Sequence, residues 1–208
     1  MLRRLRKYQL KQRIFNVNTN HTIWFVLIML FFITSCGQKF YRKNDYSFYE
    51  ENFVLDYSSY LRIDGFYILE GEWNKRNDSL GSPEKHEAYK FYKTGQVNIA
   101  LMDSLKDPQR DFYLIQKQFD ENYKQQKGST LFQGYYRMKG TKIIIQQVNV
   151  PLRQFYYLYG YLEKNKLIFV KKSIDGGGEF KEDYFAGIYK EIYKFVPFNK
   201  SDNVTPNW

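Results

Sequence analysis

Residues 130–150 read TLFQGYYRMKGTKIIIQQVNV, and this stretch decides the fold of the chain. In its first half every second residue from Phe132 to Met138 lies on one face, which is typical of a half-buried strand. Its second half is rich in β-branched residues, which favour strands. Gly140, with the lysine before it, turns the chain between the two halves. The stretch therefore predicts an antiparallel hairpin.

The same strand pattern recurs on both sides of this hairpin, with a long polar loop predicted over residues 70–87. Further strands are predicted over residues 60–69, 88–101 (a hairpin that turns at Gly95), 154–162, 167–172 and 188–196. Most of the eight strands are joined by short turns, so neighbours pair antiparallel, and such a meander can close into a barrel that holds one small ligand. We predict an all-β fold with one inserted helix, in which an eight-stranded antiparallel meander closes into a barrel.

The inserted helix is predicted over residues 108–126. Asp107 caps its start and Pro108 fits its first turn. Apolar side chains then recur at helical spacing, namely Phe112, Ile115, Phe119 and Tyr123. A stripe of this kind is most often a face packed on a core, so we expect the helix to lie on the barrel.

A leader precedes the body of the chain. The first 35 residues hold six of the 32 basic residues and none of the 22 acidic ones, so the rest carries a formal charge of +4. An unbroken apolar run of eleven residues, 23–33, follows the basic part. As a helix this run spans about 16 Å, roughly half of the hydrocarbon core of a bilayer. The pattern predicts an export signal, with a short membrane anchor as the alternative.

The end of the leader, Ile33-Thr34-Ser35-Cys36, resembles the lipobox of bacterial lipoproteins. In that family the cysteine thiol receives a diacylglyceryl group and the leader is cut just before it. The resemblance implies lipidation at Cys36, the sole cysteine of the chain, and a cell-envelope location. In enteric bacteria an aspartate directly after the lipidated cysteine resembles an inner-membrane retention signal. This chain has Gly37 at that position, and the absence of the aspartate favours the outer membrane.

Residues 60–196 resemble a group of lipid-anchored, lipocalin-like proteins from Gram-negative envelopes. Gly65-Phe66-Tyr67 has the Gly-x-aromatic spacing of lipocalins, although their usual aromatic residue is Trp. The other motifs are LRIDGFY (61–67), FYKTGQV (91–97) and GYYRMKGTKIII (134–145). The group has no assigned activity, so the resemblance implies only a fold and a location in the cell envelope. We predict a signal peptide over 1–35, a polar tether over 36–59, a lipocalin-like barrel over 60–198 and a tail over 199–208.

Composition argues against several function classes. One cysteine and two histidines disfavour a cysteine-rich zinc site, and no catalytic triad, zinc-protease or nucleotide-binding motif occurs. Asp64 with Glu179 or Glu191 is a weak candidate for a carboxylate pair. The loop Asp175-Gly-Gly-Gly-Glu179 lacks the pattern of a calcium or phosphate loop and predicts a strand connection. We expect that the protein is not an enzyme and that it binds no cofactor, no metal and no nucleic acid.

Tyrosine is the residue in excess, and residues 154–162 (QFYYLYGYL) are its densest stretch. Alternation predicts that Tyr156, Leu158 and Leu162 point into the barrel, while the tyrosines at 157, 159 and 161 form an outer ladder covered by the helix. An inward aromatic wall is either core or a surface for a ligand. The residues that we predict to bind a ligand are Tyr67, Phe132, Tyr136, Tyr156 and Leu158.

Two functions from different classes fit these observations. The first is an envelope lipoprotein whose barrel binds a small apolar or amphipathic ligand. The second is an anchored protein–protein interaction or structural module with a filled barrel, which would have inward residues such as Phe132, Tyr136, Ile143 and Ile145 meeting across its middle. Ser79 and Ser104 lie in triplets that resemble an O-glycosylation signal (Asp-Ser-Leu), and their modification is left open.

Overall fold

The structure, a computed structural model, divides the chain into residues 1–39 and residues 40–208. It describes residues 24, 41–56, 59–74, 78–83, 86–102, 113–117, 119, 133–174, 176–187, 189–198, 206 and 208. In the first unit the described residue is Trp24, which is helical. The rest of the leader, Cys36, Ser104 and Phe132 lie outside the described residues, and the predictions made on them stay predictions.

The second unit is built on a closed barrel. Nine strands are described: β1 (Gly65–Asn74), β2 (Ser79–Gly81), β3 (His86–Phe91), β4 (Gln96–Met102), β5 (Gln133–Lys139), β6 (Lys142–Asn149), β7 (Gln154–Glu163), β8 (Lys166–Ser173) and β9 (Lys190–Pro197). Neighbouring strands from β3 to β9 pair antiparallel in sequence order, and β1 pairs with both β3 and β9. The predicted eight-stranded antiparallel barrel is thus confirmed, with β2 as an extra short strand.

The first strand lies later in the chain than its hydrophobic pattern predicts. β1 begins at Gly65 and continues through Asn74, into the stretch expected to be a loop. There it pairs with β9 on one side and with β2 on the other, in a hairpin with Trp73 opposite Leu80. Main-chain pairing on both edges, rather than apolar alternation, holds this polar segment in the sheet. Ser79 is therefore an exposed residue of a strand.

The helical residues 113–117 and 119 lie inside the predicted helix. Ile115 and Phe119 are buried against Phe66 and Ile68 of β1 and against alanines of β3 and β4. The Phe66 and Phe119 rings stack with their centroids 5.2 Å apart. The helix thus covers the outer face of β1, β3 and β4. Our expectation that it lies on the tyrosines of β7 was wrong, because another segment occupies that face.

That segment is residues 41–56, here called the strap. Tyr41, Tyr46 and Phe48 are buried in one cluster with Phe155, Tyr157 and Tyr159 on the outer face of β7. Arg137 fixes the middle of the strap through the Ser47 carbonyl and Glu50. The structure therefore corrects the polar tether predicted over 36–59, since residues 41–56 belong to the folded domain. Aromatic burial outweighs the polar composition of the segment.

The strap runs along the barrel from one end to the other. The Tyr41 hydroxyl donates to the carbonyl of Arg153, in the turn between β6 and β7. At the other end of the strap the Phe53 ring lies 5.2 Å from that of Tyr136, beneath the turn between β3 and β4. Leu55 and Leu61 enter the interior of the barrel there. One end of the barrel is consequently closed by the chain that precedes β1.

The register predicted for β7 is correct. Leu158, Leu162 and the partly buried Tyr156 pack inside the barrel, and Phe155, Tyr157 and Tyr159 pack outside it. The strap and residues 180–185 cover this outer ladder. Gly178 belongs to that cover, because a Cβ there would meet the Phe48 ring at 2.5 Å. Gly178 thus lies close to the strap, which leaves no room for a side chain at this position.

Gly95→Val is expected to destabilise the fold by about 2 kcal/mol. Gly95 has a φ of +80°, as predicted for this hairpin, and a Cβ there would lie 2.9 Å from the Phe53 ring. A β-branched residue resists that conformation and also pushes the strap away. Thermal unfolding measures the change. Gly140→Val is the control: it shares the positive φ and meets nothing within 4 Å. Equal melting temperatures for both variants would contradict the contact with the strap.

Candidate functional site

The closed half of the barrel is filled by aromatic side chains. Tyr67 and Tyr136 are fully buried, and each packs edge-on against Phe91. The Tyr136 hydroxyl donates to the carbonyl of Tyr92 at 2.8 Å, and the Tyr67 hydroxyl accepts from the backbone N–H of Arg62 at 2.9 Å. Because their polar atoms have partners in the protein, these two tyrosines serve the core.

The other half of the barrel contains a cavity of about 420 Å³. Its walls come from the starts of β3, β5, β7 and β9 and from the ends of β4, β6 and β8. We call this end of the barrel the mouth. The volume lies within the range of about 300–1,000 Å³ that is usual for small-molecule sites.

The bottom of the cavity is apolar. Tyr89, Ile99, Leu158 and Phe169 form this floor. Tyr89, Phe169 and Tyr193 meet one another edge-on, with ring centroids 5.2 to 5.4 Å apart. Aromatic rings in such a cluster hold one another in place. The floor is therefore a rigid apolar platform that separates the cavity from the filled half.

The wall above the floor carries charge on two sides. Glu87 and Glu191 line it from β3 and β9, on either side of β1, and Lys171 and Lys172 line it from the end of β8. Glu191 accepts from the Tyr193 hydroxyl at 3.2 Å and from the Tyr189 hydroxyl at 3.4 Å. The Lys172 ammonium lies 4.3 Å from the centroid of the Tyr156 ring. Acidic and basic groups thus share one mouth.

Two buried amides supply hydrogen-bond donors to the same wall. Gln133 and Gln147 line the cavity and are 5% and 1% exposed. The Oε1 of Gln147 accepts from the Tyr156 hydroxyl. Within the described part of the chain, neither glutamine Nε2 has a hydrogen-bond partner. A buried donor without a partner costs about 1–3 kcal/mol, so an acceptor atom of a ligand would be stabilised here.

The predicted site residues are divided between the two halves. Tyr156 and Leu158 line the cavity, whereas Tyr67 and Tyr136 lie in the filled half and do not line it. The charged and amide residues that line it are Glu87, Gln133, Gln147, Lys171, Lys172 and Glu191. None of them is among the residues predicted to bind a ligand, although Glu191 is a candidate for a carboxylate pair. Strand alternation offers a signal for three of them. Glu87 and Glu191 stand two residues before the inward Tyr89 and Tyr193, and Gln147 stands two after the inward Ile145.

The carboxylates at the cavity are Glu87 and Glu191, and Asp64 and Glu179 do not line it. No group of three or more His, Cys, Asp or Glu side chains that could hold a metal ion occurs among the described residues. The arrangement combines an apolar floor with donors, acceptors and charges near its opening. Such a site suits a molecule with one apolar and one polar end.

The tyrosines of the barrel predict alkaline unfolding. Burial raises the pKa of Tyr67 to about 12, and burial followed by Glu87 raises the pKa of Tyr89, Tyr156 and Tyr193. The folded state therefore keeps phenol protons that the unfolded chain loses near pH 10, so stability is full below about pH 10 and falls above it. The expected slope is about 1.4 kcal/mol per pH unit for each such tyrosine.

Denaturant unfolding between about pH 8 and pH 12, followed together with tyrosinate absorbance, measures this slope. Tyrosinate from these four tyrosines is expected to appear with unfolding rather than before it. Free energies of unfolding that stay equal from pH 9 to pH 12 would contradict the effect.

The described residues include no helix that is both long and apolar enough to cross a membrane.

Three comparisons with known proteins found no match. The chain matches no protein-family model, no curated protein and no solved structure.

Proposed function

We propose that this protein is a lipoprotein of the outer membrane, anchored through Cys36, and that its barrel binds one small amphipathic ligand. Gly37, in place of an aspartate after the cysteine, favours the outer membrane. The observation that carries the binding function is the cavity of about 420 Å³ between an apolar floor and a polar mouth. The lipobox-like sequence before Cys36 supports the anchor and the address. The protein is proposed to bind and hold its ligand without catalysis.

The two parts of the cavity would each hold one end of the ligand. Its apolar part would lie on Leu158 and Phe169 at the floor. Its polar part would carry at least one acceptor oxygen, placed to accept from the Nε2 atoms of Gln133 and Gln147. A hydrogen bond of this kind contributes about 1 kcal/mol, and more when the acceptor is charged.

The second candidate is the anchored interaction module. Tyr136, Ile143 and Ile145 are fully buried and belong to one interior cluster, so half of the barrel is filled as that function requires. The cavity beyond Leu158 favours ligand binding over it.

Leu158→Trp is expected to weaken ligand binding by at least about tenfold, because the larger ring fills the space above the floor. The probe is 11-(dansylamino)undecanoic acid, a fluorescent amphiphile, titrated into the full chain. Leu152→Trp is the matched control, since Leu152 is 55% exposed in the turn between β6 and β7 and does not line the cavity.

Gln147→Leu tests the polar end. It is expected to weaken binding of the dansyl acid about fivefold and to leave binding of the apolar probe N-phenyl-1-naphthylamine unchanged. A wild-type protein without saturable 1:1 binding of the dansyl acid, or a Leu158→Trp variant that binds it as well as wild type, would reject the ligand-binding function in favour of the interaction module.

A further inference from the structure

The strap places the start of the described domain at the mouth of the cavity. The Tyr41 hydroxyl donates to the carbonyl of Arg153, and its ring lies 5.1 Å from that of Phe155. Both partners belong to the end of the barrel where β6 stops and β7 starts, and Val148 and Tyr156 at those strand ends line the cavity. Tyr41, the first described residue of this unit, therefore lies at the mouth, not at the closed end.

The distance from the proposed anchor to this point is short. Cys36 stands five residues before Tyr41. A fully extended chain of that length spans at most about 18 Å. An anchor at Cys36, on which this step of the argument rests, would hold Tyr41 within that distance of the lipid surface. The strap then keeps the closed end of the barrel, near Phe53, away from it.

Five exposed apolar side chains lie at strand ends and turns of the mouth, and we call them the rim. Its members come from β2, the end of β4, the turn between β6 and β7, the residue after β8 and the residue before β9. They are Leu80, Leu101, Leu152, Ile174 and Tyr189, and they are 39 to 55% exposed. A single exposed apolar residue is ordinary, but several around one opening mark a contact surface.

We infer that the rim rests on the lipid bilayer and that the cavity takes its ligand from the membrane. The ligand class is a single-chain amphiphile, with its chain on the aromatic floor and its acceptor head group at Gln133 and Gln147. This inference deepens the proposed function. The short connection to Cys36, the apolar rim and the opening of the cavity all belong to the same end of the barrel.

Depth-dependent quenching tests the orientation in the lipidated full chain. Lipidation consumes the Cys36 thiol, so an introduced cysteine is the one free thiol in the sequence. Leu152→Cys at the rim and Val54→Cys at the closed end, 82% exposed, are each labelled with bimane. The vesicles contain phosphatidylethanolamine and phosphatidylglycerol, with a fraction of doxyl-labelled lipid as quencher.

We expect at least about threefold stronger quenching at Leu152→Cys than at Val54→Cys, because doxyl lipid quenches only nearby fluorophores. Equal quenching at the two positions, or stronger quenching at Val54→Cys, overturns the inference and leaves the anchor intact. A protein that does not stay with the vesicles contradicts the anchor at Cys36 itself, and the inference falls with it.

A second experiment measures uptake from the membrane. The double variant Leu152→Asp/Ile174→Asp removes apolar contact at the rim without touching residues that line the cavity. Uptake of the dansyl acid preloaded into vesicles is expected to slow about tenfold, while its affinity for the protein in vesicle-free solution stays at the wild-type value. Val54→Asp is the control at the closed end. If the double variant takes up the dansyl acid as fast as the wild type does, the inference is overturned. If the wild-type protein does not bind the dansyl acid in vesicle-free solution, the proposed function is rejected instead.

Discussion

Cys36→Ser is expected to abolish the lipid anchor of the protein. A hydroxyl does not replace the thiol that receives the diacylglyceryl group in the lipoproteins that the leader resembles. Each buried methylene of an acyl chain contributes about 0.8 kcal/mol, and two or more chains anchor stably where one does not. The variant should therefore be an uncleaved precursor or a soluble protein, and membrane fractionation with mass determination distinguishes the two.

Ser35→Ala is the matched control for this variant, because it keeps a small residue before the cysteine. It is expected to be processed and retained as the wild type is. Normal processing and unchanged retention of Cys36→Ser would show that the apolar run 23–33, rather than a lipid, holds the protein at the membrane.

Gly160→Ala is expected to destabilise the barrel by at least about 3 kcal/mol, a large effect for one methyl group. Gly160 lies at the irregularity in the pairing of β7 with β8. A Cβ there would lie 2.4 Å from the Ile168 carbonyl oxygen and 2.8 Å from the Phe169 ring. The first of these atoms belongs to the backbone of the neighbouring strand, so the sheet itself must move. Denaturant unfolding measures the loss.

Gly81→Ala separates this clash from the general effect of losing a strand glycine. A Cβ at Gly81 meets nothing closer than the Glu72 carbonyl oxygen at 3.6 Å. Its effect is expected to stay within about 0.5 kcal/mol, as for most surface substitutions. Similar free energies of unfolding for the two variants would show that β7 and β8 can separate at the irregularity without cost.

The meander was predictable because local chemistry specifies it. Gly95 and Gly140, which have positive φ, mark two of the hairpins, and alternating apolar residues mark the strands between them. The inward face of β7 followed from the same alternation, since Leu158 and Leu162 continue an aliphatic pattern. Each of these features depends on residues close together in the chain, where sequence patterns are informative.

The cover of the barrel was not predictable in the same way. The strap has no regular period, and its burial depends on rings such as Phe155 and Tyr157, about a hundred residues later in the chain. The position of the cavity could not be predicted from local sequence either. Its position depends on how far the aromatic side chains of the closed half extend along the barrel axis, which places Tyr136 below the floor and Tyr156 above it.

The pairing of β1 with β9 also has a consequence for how the chain folds. It joins Gly65 to Pro197, so the barrel closes only after nearly the whole domain has been made. Domains dominated by contacts between distant residues fold slowly, in milliseconds to seconds. A chain that folds slowly stays unfolded for longer. This would favour export across a membrane in the unfolded state, as the predicted export signal would require. Until closure the outer edges of β1 and β9 are unpaired, and aggregation is expected to begin at those edges.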